Sequence, residues 1–459
     1  MNFGREWAQS SCVRTGNCWA NIRYELADMD ALDMRAVGIS TEGRWDRILF
    51  LRQQVSQVKK GGLSVLFRKC LATLKLAPAI AIILILRALR PLILVRFGTL
   101  SPQFGHFAAN TYLYICERDA GLQPKRTFDI FGYGYRIPNQ QLATMWERTL
   151  HLSSFFRGPL YLANLLVPGR MPHVVSLTTD RDFQGVIPRS REHLFFTAEE
   201  ERLGEAGLRH LGLPEGAPFV CIYARDTAYK RIFYPEQGDD DLRNRYINSS
   251  IHNFMPAAEE LARRGYFVLR MGAAVNEALR STNPMIIDYA TKARSEFMDI
   301  YLSAKCRFFF GCCSGLITVP KIFRRPMIHA NFSPFREENL LTCQSGALVI
   351  PKKLWLRESG RFMTFREDPN VGSCSIPAWQ TGIQNDESIA VDVIENTPEE
   401  LLAVAVEMDE RLGETWQTTE EDEELQQRFW SLFEIREPNE EFRQRLGAEF
   451  LRQNRELLD

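Results

Sequence analysis

Short apolar runs alternate with helical patterns between residues 219 and 331, and each run ends at polar or small residues. The runs predict four strands, at residues 219–223, 266–269, 306–310 and 326–330. Helical patterns separate the first three strands, which indicates a parallel sheet with crossover helices. Ligands of such sheets bind beyond the carboxyl ends of the strands. The residues that follow each strand are therefore the first candidates for chemistry.

Two strand ends carry groups that suit an anion. Arg225 follows the first strand, and Ser314 with Gly315 follow the third strand and precede an apolar, helical pattern. A guanidinium matches phosphate oxygens bidentately, and a helix N-terminus presents free N–H groups to negative charge. We therefore expect Arg225 and a helix that opens at Ser314 to bind a phosphate. An ion pair between Arg225 and Asp226, or a simple helix cap at Ser314, would leave the same pattern.

Further contacts are expected near these strand ends. Arg270 and Gly272 follow the second strand and can line the same cleft. Asp288 and Tyr289 follow a short apolar run and suit a base or ribose contact, and Tyr229 lies shortly after Arg225. The string Asp239-Asp240-Asp241 has the spacing of a metal-binding DxD motif, but it follows polar residues instead of a strand. We expect a solvated loop there and no metal site.

The whole chain predicts an α/β protein with two domains. Residues 1–60 are expected to be a poorly ordered extension, and residues 61–210 a first Rossmann-like domain. The segment 214–218 is rich in proline and glycine and marks the boundary to a second such domain at residues 215–375. Residues 376–459 are acidic and helical, with a capping box at Thr397-Pro398-Glu399-Glu400.

Charge and cysteine content narrow the class of protein. The 459 residues carry a formal net charge of -1 with 45% hydrophobic residues, which argues against a nucleic-acid partner. The ten cysteines show no CxxC spacing, as expected for buried thiols in a reducing compartment. Because the first 46 residues lack the apolar core of a signal peptide, we expect a cytoplasmic location.

One segment is strongly basic. No acidic residue occurs between Asp46 and Glu117, and the segment contains an uncharged apolar run at residues 76–86. A membrane-spanning helix needs roughly 20 apolar residues, so this run is too short to cross. The segment predicts either attachment to the surface of an anionic membrane, on its inner face, or a helix buried beside the first strand.

Several of these motifs, in this order, resemble a bacterial family of glycosyltransferases that is defined by sequence. The similar segments are residues 221–229, 266–272, 299–304, 314–316, 323–326 and 397–400. The chain also resembles, more distantly, O-fucosyltransferase-like and heptosyltransferase-like enzymes. The resemblance implies a GT-B architecture, in which two Rossmann-like domains face a cleft and C-terminal helices follow. It also implies a nucleotide-diphosphate sugar as donor, with no metal and no cofactor. Tyr223 stands where such families often have histidine, and Ile247 where we expect arginine.

Sugar transfer needs a base for the acceptor hydroxyl. His106 ends the loop at residues 98–105, and several GT-B enzymes have a glycine-histidine loop there. A capping or packed histidine fits almost as well, and Asp226 is the competing base.

The expected function is transfer of a hexosyl or deoxyhexosyl group to a cell-surface polysaccharide, glycolipid or protein. The alternatives are an inactive nucleotide-sugar-binding or scaffold protein and a GT-B-type sugar-nucleotide epimerase.

Overall fold

The computed structural model describes residues 77–153, 173–175, 184–235, 246–333, 346–367, 391–433 and 444–459, with residues 55–57, 59, 62, 177 and 182. Two compact units are present and they interleave along the chain. Unit 1 comprises Met1–Thr99, Lys125–Gly132 and His151–Ser176. Unit 2 comprises Leu100–Pro124, Tyr133–Leu150 and Leu177–Asp459. The predicted continuous domains, with boundaries at residues 60, 210 and 375, stay a prediction.

The elements are as follows. The helices are α1 Ala77–Leu89, α2 Phe104–Asp119, α3 Gln140–Thr149, α4 Val186–Arg189, α5 Ala198–His210, α6 Ala228–Phe233, α7 Met255–Arg263, α8 Tyr289–Lys292, α9 Glu296–Lys305, α10 Thr318–Ile322, α11 Pro398–Leu412, α12 Glu420–Trp430 and α13 Ala448–Gln453. The strands are β1 Leu94–Leu100, β2 Thr127–Tyr133, β3 Val174–Val175, β4 Phe219–Tyr223, β5 Phe267–Arg270, β6 Ile286–Ile287, β7 Phe309–Gly311, β8 Met327–Phe332, β9 Leu348–Pro351, β10 Lys353–Leu356, β11 Arg361–Phe362, β12 Val391–Ile394 and β13 Arg445–Leu446. Short 3₁₀ helices cover Ile251–Phe254 and Arg455–Leu458.

A seven-stranded sheet organises unit 2. Its strand order is β13-β9-β8-β7-β4-β5-β6, and every neighbouring pair is parallel. The chain runs outward from β4 to β6, then returns to the other side of β4 with β7 and continues outward again. This is the doubly wound order, in which the direction of winding reverses between β4 and β7. The predicted α/β class with a parallel sheet is confirmed.

Both faces of this sheet are covered, because alternate residues of each strand point to opposite sides. Val220 and Ile222 of β4 pack into one core with α7 and α11, whereas Phe219 and Cys221 pack into another core with α9. A strand buried on both faces reads as a continuous apolar run. This explains why the sequence predicted β4 with the bounds it has.

The C-terminal helices belong to unit 2 and pack on the sheet. The predicted capping box of α11 is confirmed: Thr397 Oγ1 accepts from Glu400 N at 3.2 Å, and Thr397 N donates to Glu400 Oε2 at 3.0 Å. The other oxygen of Glu400 binds Lys353 Nζ at 2.6 Å, and Asn454 Oδ1 accepts from the same ammonium at 3.1 Å. One buried carboxylate therefore joins α11 to β10 and to the last turn of the chain.

Unit 1 contains a smaller sheet, in the order β2-β1-β3. Arg96 of β1 and Asp129 of β2 form a buried bidentate ion pair, with both N···O distances 2.7 Å. Helix α1 packs Ala79 and Ile83 against this sheet near Phe97. In the parts of the chain that the structure describes, no helix is long and apolar enough to cross a membrane.

Candidate functional site

The reversal between β4 and β7 places two loops side by side at the carboxyl edge of the sheet. One loop follows β4 with Ala224-Arg225-Asp226, and the other follows β7 with residues 312–317. The amide of Arg225 donates to the Cys312 sulfur at 2.9 Å, which joins the loops. Burial raises the pKa of the Cys312 thiol, so the sulfur accepts this bond as a neutral group. The two loops open onto a cavity of about 360 Å³.

Six of the ten residues that the sequence singled out line this one cavity. They are His106, Arg225, Asp226, Tyr229, Ser314 and Gly315. All six belong to unit 2, although His106 lies more than a hundred residues before the others. The fold therefore brings the predicted base and the predicted phosphate groups to the same place.

The side chain of Arg225 has no hydrogen-bond or ion-pair partner among the described residues, although it is half-buried. Its neighbour Asp226 is occupied elsewhere. Asp226 Oδ1 accepts from Ala228 N and Oδ2 accepts from Asn276 N, both at 2.8 Å. The alternative ion pair between Arg225 and Asp226 is therefore absent. Asp226 accepts from the first amide of α6 and from the loop after β5, while the guanidinium of Arg225 stays available to a ligand.

Lys230 also lines this cavity, and no sequence motif predicted it as a site residue. It lies on α6, one turn after Asp226, and lines the cavity. Within the described ranges its ammonium makes no hydrogen bond or ion pair either. In sequence, a lysine on a short helix looks like an ordinary surface residue. Its place at the cavity follows from the position of α6 directly after Asp226.

The loop at Ser314 differs from its prediction. We expected Ser314 and Gly315 to open a helix, but α10 begins at Thr318, after a bend and a turn. The Thr318 hydroxyl donates to the Gly315 carbonyl at 2.7 Å and closes that turn. In the part of the chain that the structure covers, the amides of Ser314 and Gly315 donate to no carbonyl. They are free donors of a loop, not the first turn of a helix.

The helix N-terminus at this cavity belongs to α2. Its first residues Phe104, Gly105 and His106 line the cavity, and its N-cap Gln103 makes no side-chain capping bond. The first amides of a helix have no partner within the helix and favour an anion. A Cβ on Gly315 would lie 2.9 Å from Gly105 N, and a Cβ on Gly105 would lie 2.8 Å from Gly315 Cα. The two glycines thus let the start of α2 and the Ser314 loop touch backbone to backbone.

This contact also positions His106, whose tautomer is set by a neighbour one turn along α2. Asn110 is buried, and its Nδ2 donates to the Leu177 carbonyl, which leaves Oδ1 as the acceptor. The His106 Nδ1 lies 3.2 Å from that oxygen and must carry a proton to bond with it. The other ring nitrogen, Nε2, then carries a lone pair. A lone pair on Nε2 is what a general base at this cavity requires.

Aromatic rings form another part of the wall. Tyr229 packs on Phe233 with ring centroids 4.6 Å apart, and both line the cavity with Tyr234. The Arg136 guanidinium lies 4.8 Å from the Tyr234 ring centroid and donates to the Phe233 carbonyl at 3.0 Å. Arg136 therefore fixes the end of α6. Tyr223 also lines the cavity, and burial raises its pKa, so its phenol stays neutral.

Asp299 of α9 is a buried carboxylate in the cavity wall, and it was not among the predicted site residues. Asp299 accepts from Arg294 Nη2 at 2.7 Å and from the Tyr289 hydroxyl at 2.8 Å. Burial raises its pKa, in spite of the opposing charge of Arg294. Arg294 is therefore held by Asp299, whereas Arg225 and Lys230 are not held by any carboxylate of the described chain.

The structure does not bring the remaining four predicted residues to the cavity lining. Arg270 is fully buried and donates to Asp288 Oδ1 at 3.1 Å and to the Glu277 carbonyl at 3.2 Å. Tyr289 is buried, and its hydroxyl donates to Asp299. Gly272 has φ +151°, and its neighbours Ala273 and Ala274 line the cavity in its place. Their predicted role as donor contacts stays a prediction. Asp239-Asp240-Asp241 lies outside the described residues.

No protein-family model matches the chain. No curated protein matches it. Among solved structures, a family 9 glycosyl transferase from Veillonella parvula is similar, at 11% identity and a TM-score of 0.39, over 69% of this chain and 96% of that one. An E. coli ADP-heptose LPS heptosyltransferase II is similar at 13% identity and a TM-score of 0.31, over 56% of this chain and 89% of that one. An E. coli heptosyltransferase with ADP is similar at 12% identity and a TM-score of 0.32, over 56% and 93%. Each is a distant likeness, and no residue role is transferred from it.

Proposed function

We propose that this chain is a glycosyltransferase that takes its sugar from a nucleotide-diphosphate sugar. The observation that carries the proposal is the set of uncommitted groups at one cavity. The Arg225 guanidinium, the Lys230 ammonium and the amides of Ser314 and Gly315 have no partners in the described chain. They meet at the point where the winding of a parallel sheet reverses, which is where such sheets bind nucleotides.

A diphosphate leaving group explains why two cations are left unpaired. When the sugar leaves, the terminal phosphate gains negative charge, and catalysis depends on groups already aimed at that charge. Arg225 can bind two oxygens at once, Lys230 supplies a point charge, and the start of α2 adds a dipole. Two fixed cations can do the work that a metal ion does in other transferases. We therefore propose that transfer is metal-independent and uses no cofactor.

His106 is the proposed base. Its Nε2 takes the proton of the acceptor hydroxyl as the hydroxyl oxygen attacks the anomeric carbon. The bond from that carbon to the diphosphate oxygen breaks, and both electrons leave with the diphosphate. The Gly105–Gly315 contact supports this assignment, because it holds the first turn of α2 against the loop that would bind the leaving group. Asp226 is the weaker candidate, since backbone amides already bind both of its oxygens.

The finer features of the proposal come from the sequence resemblance. It implies a hexosyl or deoxyhexosyl donor and an acceptor that is a surface polysaccharide, a glycolipid or a protein. Such acceptors are assembled in the cytoplasm or at the inner face of the membrane, and we propose that location for this chain. Tyr229 and Phe233 offer flat apolar surfaces for the base or the sugar.

The test is a thermal-shift panel of UDP, GDP, ADP and CMP with their sugar conjugates. We expect one nucleotide family to raise the melting temperature, and Arg225→Ala to abolish the rise. Arg280→Ala is the matched control, because Arg280 is exposed and does not line the cavity. If no nucleotide stabilises the protein, the proposal is wrong. Binding without donor hydrolysis or transfer would favour the inactive binding protein, and an altered donor formed without acceptor would favour the epimerase.

A further inference from the structure

Helix α1 is apolar except for Arg87, and one of its faces is not covered by the residues that the structure describes. Ala79 and Ile83 are buried near Phe97, as expected of a helix packed on its sheet. On the opposite side, Ala81, Leu84, Ile85 and Ala88 recur at helical spacing and are exposed. Leu84 is 52% exposed and Ile85 is 59% exposed. Leu92, just after the helix, is 72% exposed.

An exposed apolar helix face of this kind requires a partner. Surface helices of soluble proteins have a polar outer side, and a helix that is apolar on every side is normally buried. From Ala77 to Leu89 the only charged residue is Arg87, next to the C-terminal end. Arg90 follows directly and is exposed. The outer face of α1, defined as Ala81, Leu84, Ile85, Ala88 and Leu92, is therefore apolar with a basic end.

The sequence of unit 1, the unit to which α1 belongs, indicates the charge of the partner. Unit 1 carries 19 lysines and arginines against 8 aspartates and glutamates, a net charge of +11, whereas unit 2 carries 37 against 49, a net charge of −12. From Arg47 onward the ranges of unit 1 contain a single acidic residue, Asp129, and Arg96 neutralises it. The near-neutral charge of the whole chain conceals this separation. The positive charge of unit 1 favours an anionic partner, and the apolar face of α1 favours a partner that also has apolar surface.

We propose that the outer face of α1 inserts into the interface of an anionic lipid membrane. Anionic headgroups would meet the basic charges while the acyl boundary takes Leu84, Ile85 and Leu92. At 13 residues the helix is about 20 Å long, too short to span a bilayer but suited to lie in its surface. A nucleic acid would match the charge but leave the apolar face exposed. A second copy of the chain would match the apolar face but bring two basic units together.

The test is co-sedimentation of the full chain with vesicles of phosphatidylcholine alone or of phosphatidylcholine with phosphatidylglycerol. We expect binding to the anionic vesicles only, weakening as salt is added. The double variant Leu84→Glu with Ile85→Glu should reduce binding by about tenfold or more, because it places two carboxylates in the apolar boundary. Arg90→Gln should weaken binding by roughly fivefold and reduce its salt dependence.

The matched control is Phe195→Glu with Leu203→Glu, two exposed apolar residues of unit 2, which should bind as the parent does. Circular dichroism of each variant shows that it is folded. The inference is wrong if the α1 double variant binds anionic vesicles normally, or if no vesicle is bound. It is also wrong if the parent is a dimer that the double variant separates, since a second copy then covers the face. Vesicle binding requires no substrate, so this outcome is independent of the proposed sugar transfer.

Discussion

Two neighbouring strands of the same sheet each end near an arginine, and the two arginines have opposite fates. Arg225, after β4, lines the cavity and makes no bond through its guanidinium within the described chain. Arg270, the last residue of β5, is 1% exposed and is bonded to Asp288 and to the Glu277 carbonyl. In sequence the two looked alike, as basic residues that follow an apolar run.

The two arginines differ because a carboxylate is available to pair with Arg270 and none is available to pair with Arg225 within the described chain. Asp288 is placed by β6, the next strand outward, and accepts from Arg270, Leu279 N and the Thr291 hydroxyl. On the other side, Asp226 is close to Arg225 in sequence, but backbone amides use both of its oxygens. A cation whose partner is built into the fold supports structure. A cation whose nearest carboxylate is occupied is available to a ligand.

The largest expected effect is therefore on stability, at Arg270. Arg270→Ala leaves Asp288 buried with an unpaired charge, and we expect a loss of about 3–5 kcal/mol in the free energy of unfolding. Urea denaturation measures it, with Arg280→Ala as the exposed control. Arg270→Met combined with Asp288→Leu should recover much of the loss, because it removes both charges. If Arg270→Ala has the same urea midpoint as the parent, then the Arg270–Asp288 pair does not stabilise the fold and the proposed contrast with Arg225 is wrong.

Arg225→Ala should show the reverse pattern. We expect nucleotide affinity to fall about 10- to 100-fold, as charge-assisted bonds worth about 1.5–3 kcal/mol are lost. The midpoint of unfolding without ligand should move little, since no described contact of the guanidinium is removed. Isothermal titration with the nucleotide that stabilises most, paired with urea denaturation, separates the two effects. Lys230→Ala should also weaken nucleotide binding. If both variants bind the nucleotide as the parent does, the proposed site is wrong.

Gly315→Ala tests whether the loop beside Arg225 is shaped by packing. The added Cβ would lie 2.9 Å from Gly105 N and 3.2 Å from Gly105 Cα, both backbone atoms that cannot rotate away. We expect a loss of about 1–3 kcal/mol in unfolding free energy and weaker nucleotide binding. Ser314→Ala is the matched control, because it changes the neighbouring residue of the same loop without adding an atom beside Gly105. Equal stability of the two variants would show that the backbone contact is unimportant.

The sequence predicted the centre of the fold better than its edges. A strand buried on both faces, such as β4, is a continuous apolar run and was predicted with its observed bounds. The strand β7 was predicted to begin at Cys306, but it begins at Phe309, because α9 runs to Lys305 and a bend at residues 306–307 follows it. The outer strand β13 has two residues and leaves no pattern to read.

The site was predictable where chemistry follows a strand, and not where a contact is made across the fold. Arg225 was found from its position after β4. Asn110 lies among buried apolar residues of α2, and its bond to the Leu177 carbonyl joins positions 67 residues apart. Arg270 was selected for the same reason as Arg225, and only the position of Asp288 in space separates them.

The smallest expected effect concerns Asn110. Its side-chain nitrogen binds the Leu177 carbonyl, and its side-chain oxygen orients His106. Asn110→Ala removes the acceptor for His106 Nδ1–H, and the proton is then free to move to Nε2, where it blocks the proposed base. We expect about tenfold slower transfer or donor hydrolysis with nucleotide affinity nearly unchanged. Nitrogen-15 NMR of histidine-labelled protein reads the tautomer directly, with His106→Gln to assign the signal.

Asn110→Asp keeps an acceptor for His106 Nδ1–H, although it loses the donor to the Leu177 carbonyl. A carboxylate still accepts from Nδ1–H and keeps the lone pair on Nε2, but its negative charge favours the protonated ring. A base works only when deprotonated, so the pH below which activity falls should move upward in this variant, while Asn110→Ala lowers activity at every pH. If the native His106 carries its proton on Nε2, or if both variants leave the pH profile unchanged, then His106 is not the base and Asp226 becomes the candidate to test. Nucleotide binding through Arg225 would stand in either case, because it depends on a different set of contacts.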